Sequence, residues 1–285
     1  MASNEQEHSS EDILNDALFF LGGKSVIEDE IISYGPVKLT VAPKEGKANT
    51  LLADHLFSPS LFLAEQLERG LIPLQGKTLI ELGAGCSLPS LASCIISSPS
   101  NVPSLVVTSD YPDPIILGNL RSNVERNRAL VSPMCKLHYR GYEWGQDIGE
   151  LLTLLPVNHS TSAHVPGFDI VILSDLLHFN TSHDALVKSL SLLLAKTEDA
   201  RVYVAAGRYT LPSVCSSFLQ KATDEGLIFE EDTNHIVGAN SAKWLGTLSV
   251  TGLDAKALSL RKNNCRYWVG RWMQPQVNFR RWKRD

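Results

Sequence analysis

Two glycines, Gly83 and Gly85, close the apolar run Thr78-Leu79-Ile80-Glu81-Leu82, and a helical pattern opens behind them at Leu88-Pro89. Glycine tolerates positive φ and has no side chain to hold a ligand off, so this strand-to-helix turn can bend its backbone against an adenosine cofactor. A dinucleotide fingerprint would carry a third glycine three positions after Gly85, to pack helix on strand and leave amides facing a pyrophosphate. Leu88 stands there instead. The turn suits a cofactor without phosphates, and S-adenosyl-L-methionine is the common adenosine cofactor of that kind.

Three further groups of residues follow apolar runs. Asp110 ends Val106-Val107-Thr108-Ser109, where a carboxylate can accept hydrogen bonds from both ribose hydroxyls. The plainer alternative is a cap on the helix after Pro112-Asp113-Pro114. In Gly141-Tyr142-Glu143-Trp144-Gly145 the Trp144 indole can cover an adenine face, or simply seal the core. Ser174-Asp175 ends Asp169-Ile170-Val171-Ile172-Leu173. Asn180-Thr181-Ser182-His183-Asp184 supplies a capping box for the next helix, which leaves Asp175 free for chemistry. His178 and His183 lack a third ligand at a sensible spacing, so they read as structural and no metal site is expected.

The elements that must hold these residues alternate. Strand-like runs span Thr78 to Leu82, Ser104 to Ser109, Cys135 to Tyr139, Phe168 to Ser174 and Ala200 to Ala206. Helical patterns fall between them at Leu88 to Ile96, Pro114 to Asn127, Ile148 to Leu154 and Asp184 to Ala195. Buried strands alternating with amphipathic helices predict a parallel sheet covered on both faces, with ligands at the carboxyl ends of its strands. A hairpin at Glu30 to Val41 and a helix at Ser60 to Arg69 precede this core. A helix at Leu211 to Asp224, a variable stretch, and a strand at Cys265 to Trp272 complete about seven strands.

With 285 residues, 44% hydrophobic and 20% charged, the chain reads as one large α/β domain over residues 13–272: a cap and helix over 13–75 and a core over 76–272. Residues 1–12 read as a disordered tail and 273–285 as a basic tail. The net charge of −5 conceals opposite ends: Met1 to Asp16 has five acidic residues and no Lys or Arg, whereas Arg261 to Asp285 has eight Lys or Arg. No run approaches the roughly 18 apolar residues of a membrane span, and the acidic N-terminus is unlike a signal peptide, so a soluble intracellular protein is expected. The five cysteines are scattered without a Cys-x-x-Cys pair and are expected to be reduced, buried thiols.

Glu81-Leu82-Gly83-Ala84-Gly85, Asp110-Tyr111-Pro112-Asp113, Asn119 with Asn123, Tyr142-x-Trp144-Gly145 and Leu173-Ser174-Asp175-Leu176-Leu177 together resemble the seven-β-strand protein methyltransferases of family 16. The chain is most similar there to the fungal subgroup described as nicotinamide N-methyltransferase-like or elongation factor methyltransferase 7. The resemblance runs from about Ile13 to Gly226. It implies a Rossmann-like class I fold, a seven-stranded, mostly parallel sheet with a reversed final strand and helices on both faces. It also implies S-adenosyl-L-methionine held by Gly83, Ala84, Gly85, Asp110, Trp144 and Ser174. The similar enzymes use a tryptophan before the first core helix where this chain has Phe57, so no cofactor contact is carried over to that position. Ala206-Gly207-Arg208-Tyr209-Thr210 departs as well, near the implied acceptor pocket.

The implied reaction is an in-line methyl transfer to nitrogen, which requires a neutral amine. An α-amine with a pKa near 8 meets that need more often than a lysine near 10.4. Asp175 is the candidate to orient the amine, with Tyr142 or Tyr209 as aromatic walls. The implied substrate is a protein, with elongation factor 1A as the partner and a lysine or N-terminal amine as acceptor. The enzyme is expected to be a cytoplasmic monomer without nucleic acid or membrane partners. A small-molecule methyltransferase acting on a nicotinamide-like ring, and a non-catalytic interaction protein, stay open as alternatives.

Overall fold

The computed structural model describes residues 31–156, 166–232 and 243–273. The tail over 1–12, the helical pattern after Ile13 and the basic tail beyond Met273 lie outside them. Three strands are buried along their whole length: β3 (Thr78–Leu82), β4 (Leu105–Asp110) and β6 (Ile170–Ser174). They belong to a seven-stranded sheet with β5 (Lys136–Gly141), β7 (Arg201–Gly207), β8 (Leu227–Glu231) and β9 (Cys265–Trp272), in the order β5-β4-β3-β6-β7-β9-β8. The strands from β5 to β7 pair in parallel, and β9 runs antiparallel to both β7 and β8.

Alternation within each strand divides the core between two faces. Leu79, Val106, Ile170 and Ile172 join one apolar cluster, while Ile80, Leu82, Val107, Val171 and Leu173 join the other. Helices must therefore cover both faces. The first face carries α2 (Ser58–Glu68) and α3 (Leu88–Ile95); the second carries α6 (His183–Leu193) and α7 (Pro212–Asp224). A five-residue α1 (Gly46–Thr50), the long α4 (Pro114–Asn127), a single turn α5 (Gly149–Leu152) and α8 (Ala255–Asn263) complete the described helices.

The variable stretch after Asp224 contains β8 and α8, which the residue pattern alone did not resolve. β8 is a short edge strand ending in two glutamates. α8 is held by tertiary contacts: Lys262 is buried against Glu65 of α2, with Nζ 2.9 Å from Oε2, and the Leu245 amide donates to Glu65 Oε1 at 2.6 Å. Glu68, one turn on, accepts from the amides of Thr247 and Leu248 and from the Tyr34 hydroxyl.

The hairpin β1 (Ile32–Tyr34) and β2 (Val37–Leu39) docks on α4 through a row of amide side chains. Asn119, Asn123 and Asn127 share one helical face at a spacing of four. Asn127 Oδ1 accepts from the Lys38 amide at 2.9 Å and its Nδ2 donates to the Lys38 carbonyl at 2.7 Å. Asn123 makes the same pair with Thr40, at 2.8 Å each. The side-chain amides thus stand in for a third strand beside β2.

Glu81 of β3 is fully buried; its Oε2 accepts from the Ser90 amide at 2.9 Å and the Ser90 hydroxyl at 2.5 Å, while Oε1 has no partner among the described residues. Burial pushes its pKa from 4.5 up to about 8. The folded state therefore holds a proton that the unfolded chain releases near pH 4.5, so this group's contribution to stability is greatest below that value and is lost as pH rises toward about 8. Glu81→Gln should remove this loss. Urea unfolding between about pH 5 and about pH 8 should show the variant gaining on the parent as pH rises; parallel curves would mean that Glu81 does not titrate there.

Candidate active site

The chain leaves β3 for β4 on one side and returns across the sheet to β6 on the other, so a crevice opens between β3 and β6 at their carboxyl ends. A cavity of ≈ 260 Å³ lies there, and Gly83, Ala84, Gly85, Asp110, Trp144, Ser174 and Asp175 all line it. The structure therefore brings together the six residues expected to hold the cofactor and Asp175; of the two aromatic candidates Tyr142 lines the cavity and Tyr209 does not.

The glycine turn is stitched to the end of β4. The Ala84 amide donates to the Ser109 carbonyl at 3.0 Å, the Gly85 amide to Asp110 Oδ2 at 2.6 Å, and the Ser109 hydroxyl to the Glu81 carbonyl at 2.7 Å. Both glycines have positive φ, +57° at Gly83 and +55° at Gly85. Their surroundings differ: a Cβ on Gly83 would sit 2.6 Å from Leu176 and 3.2 Å from Trp144, whereas nothing lies within 4 Å of one on Gly85.

Asp110 caps no helix. Asp113 caps α4, accepting from the Ile115 amide at 2.9 Å. Asp110 instead accepts from Gly85 and Tyr111 and still lines the cavity; burial lifts its pKa to about 6 against the pull of those two amides. Trp144 packs edge-on against Phe179 at 5.8 Å and walls the cavity from the β5 side. Ser174 meets the Ser60 hydroxyl at 2.8 Å, joining the end of β6 to α2.

Asp175 departs from expectation in what surrounds it. The capping box at Asn180 to Asp184 does not form: a 3₁₀ turn at Asn180–Ser182 runs into α6, and Ser182 makes no side-chain cap. Asp175 nevertheless caps nothing. It has φ +62° and turns its carboxylate back to β7, where Oδ1 accepts from the Gly207 amide at 3.1 Å and Oδ2 from the Tyr209 hydroxyl. Burial pushes its pKa up, and the His178 charge, the Tyr209 hydroxyl and the Gly207 amide oppose that rise.

The two aromatic candidates divide. The Tyr142 ring lines the cavity with its hydroxyl tied to Ser189 at 2.9 Å, whereas Tyr209 reaches the site through its hydroxyl. The histidines divide too: His183 Nε2 is 2.8 Å from the Leu177 carbonyl, but His178 lines the cavity beside Asp175, and its buried ring nitrogens make no hydrogen bond of good geometry among the described residues. His55, Phe57 and Ser60 also line the cavity, contributed by the segment before β3, and no spacing in the sequence marks His55 or Ser60 for that role. Phe57 and Tyr209, two positions where the chain departs from the enzymes it resembles, are in contact with ring centroids 6.4 Å apart.

Among the described residues three carboxylates line the cavity, from Asp110, Glu143 and Asp175, and no Lys or Arg does. That donor set fits a phosphate-free adenosine ligand bearing a sulfonium charge and an amine, and it would repel a pyrophosphate. A family described as lysine methyltransferase matches residues 48–224, and the chain belongs to that family. Its cofactor is S-adenosyl-L-methionine. Among curated proteins the chain is similar to the protein N-terminal and lysine N-methyltransferases EFM7 of Gibberella zeae, at 31% identity over 63% of this chain and 67% of that one, and of Schizosaccharomyces pombe, at 32% over 55% and 56%. The relative in Candida albicans is 33% identical over 49% of this chain and 51% of its own. The chain thus spans two thirds of the first and about half the length of the other two.

Gly83→Ala should destabilise the fold more than Gly85→Ala. Both place an L-residue at positive φ, at about 1–2 kcal/mol, but only the first adds a clash with Leu176 and Trp144, a further ~1–3 kcal/mol of overpacking. Denaturant unfolding of the two variants checks this; equal losses would mean that those side chains yield freely.

Proposed function

We propose that this chain is an S-adenosyl-L-methionine-dependent protein N-methyltransferase acting on the N-terminal amine of elongation factor 1A, on a lysine close to it, or on both. The observation that carries the reading is that three carboxylates and, among the described residues, no Lys or Arg line the cavity, which favours positively charged ligands. The names of the EFM7 relatives support a protein amine as acceptor. When bound, S-adenosyl-L-methionine supplies the methyl group and the positive charge that leaves with it.

In this reading the backbone of Gly83, Ala84 and Gly85 follows the cofactor closely, Asp110 accepts its ribose hydroxyls, Trp144 covers its adenine and Ser174 offers a hydroxyl. Asp175 orients the acceptor amine and disperses the charge that develops on nitrogen. The remaining demand is positional, since the amine must be held with its lone pair aligned. A flexible chain terminus suits a crevice at strand ends because it can enter without unfolding its parent protein. The same reading assigns the enzyme to the cytoplasm, with the translation machinery, as a monomer. Among the described residues no helix is long and apolar enough to cross a membrane.

Asp110→Ala should weaken cofactor binding roughly ten- to a hundred-fold, the usual cost of losing a hydrogen bond to a charged group. Because the Asp110 pKa is raised to about 6, affinity in the parent should also fall as pH drops through that value and the carboxylate is neutralised. Calorimetry of the folded variant, and of the parent across pH, tests both; unchanged affinity removes Asp110 from the ribose role. The substrate is tested by mass spectrometry of the N-terminal peptide of elongation factor 1A, prepared with and without the enzyme. Identical methylation in the two samples rejects this acceptor.

A further inference from the structure

Asp175 is buried, yet both of its oxygens are already engaged by neighbours from a single segment, the end of β7 and the turn that follows it. Gly207 supplies its amide to Oδ1, and Tyr209, two residues on, folds back so that its hydroxyl donates to Oδ2. This return is possible only because residue 207 has no side chain. A Cβ there would lie 2.2 Å from the Tyr209 ring, closer than any real contact. Gly207 does not have positive φ, so its backbone would accept alanine, and the constraint is steric alone. The outer side of the Tyr209 ring is held by Phe57. Tyr209 is well placed as a permanent donor, because burial and the nearby Asp175 charge push its own pKa well above the usual phenol value.

We propose that Tyr209 is the positioning residue for Asp175: its hydroxyl fixes the direction of the carboxylate in the cavity wall, and Gly207 is glycine so that the ring can reach it. This rests on the reading of Asp175 as the group that orients the acceptor amine. The other titratable groups facing this pair are His178, behind Asp175 in the chain, Cys265 of β9 and Arg261 of α8, the last two being shared neighbours of the Tyr209 ring. Of the contacts that oppose the rise of the Asp175 pKa caused by burial, the Tyr209 hydroxyl is one that a single-atom deletion removes cleanly.

The test uses the full chain with aspartate labelled at Cγ with ¹³C, and Asp175→Asn to assign the resonance. Tyr209→Phe keeps the ring and its packing but deletes the donor, so the Asp175 titration midpoint should move to higher pH. Gly207→Ala keeps the Gly207 amide but evicts the ring, so it should move the midpoint in the same direction by an independent route. In methyl transfer from S-adenosyl-L-methionine to a synthetic N-terminal peptide of elongation factor 1A, Tyr209→Phe should lower kcat about ten-fold, with cofactor affinity held within two-fold. Adding it to Asp175→Asn should cost nothing more. An unmoved midpoint in both single variants overturns the proposal and leaves Tyr209 a packing residue. A moved midpoint with full turnover in Asp175→Asn overturns instead the role given to Asp175, and the hydrogen bond survives as a structural one.

Discussion

A sheet buried on both faces leaves only the ends of its strands open to a ligand, and this constraint governs the rest of the molecule. The two apolar clusters that sandwich β3, β4 and β6 leave no polar surface along those strands. Every residue that lines the cavity therefore sits at a strand end, in a loop or on a covering helix. The order β5-β4-β3-β6-β7-β9-β8 then selects which ends matter, because the connections diverge only between β3 and β6.

Carboxylates at such a place are costly. Burial raises the pKa of Asp110, Asp175 and Glu81 alike, and each is countered by donors drawn from a neighbouring strand end or helix start: Gly85 and Tyr111, Gly207 and Tyr209, and Ser90. The three differ in what the cavity can use. Asp110 and Asp175 line it, whereas Glu81 lies beneath the glycine turn and its carboxylate accepts from Ser90 of α3. A surplus of carboxylates over Lys and Arg among the described residues that line the crevice suits a sulfonium and an amine together.

The segment ahead of β3 and the one after β8 act as a collar. Asn119, Asn123 and Asn127 take the hairpin edge, while Glu65 and Glu68 hold residues 245–248 over α2. Both fastenings use side chains to satisfy backbone groups that no strand pairs, which is how irregular segments are kept in a fixed position without a sheet of their own. The collar in turn brings His55, Phe57 and Ser60 to the cavity.

Local sequence determined the alternation of strands and helices, the glycine turn and the polar residues at strand ends, because each follows from short-range periodicity and steric freedom. α4 at Pro114–Asn127 and β9 at Cys265–Trp272 keep the bounds read from the chain. Pattern alone did not locate β8 and α8, since a short edge strand ending in charge and a helix held by a buried ion pair have little periodicity of their own. It misjudged the segment Asn180 to Asp184, where a 3₁₀ turn replaced the capping box. Only the tertiary structure decided that Asp110 is spared from capping by Asp113, that His178 faces the cavity while His183 does not, and that Gly207 and Tyr209, 32 and 34 residues further along the chain, converge on Asp175 from the end of β7 and the turn after it. Those facts depend on which strand lies beside which. Contacts between neighbouring strands join residues far apart in sequence, and no local window contains both partners.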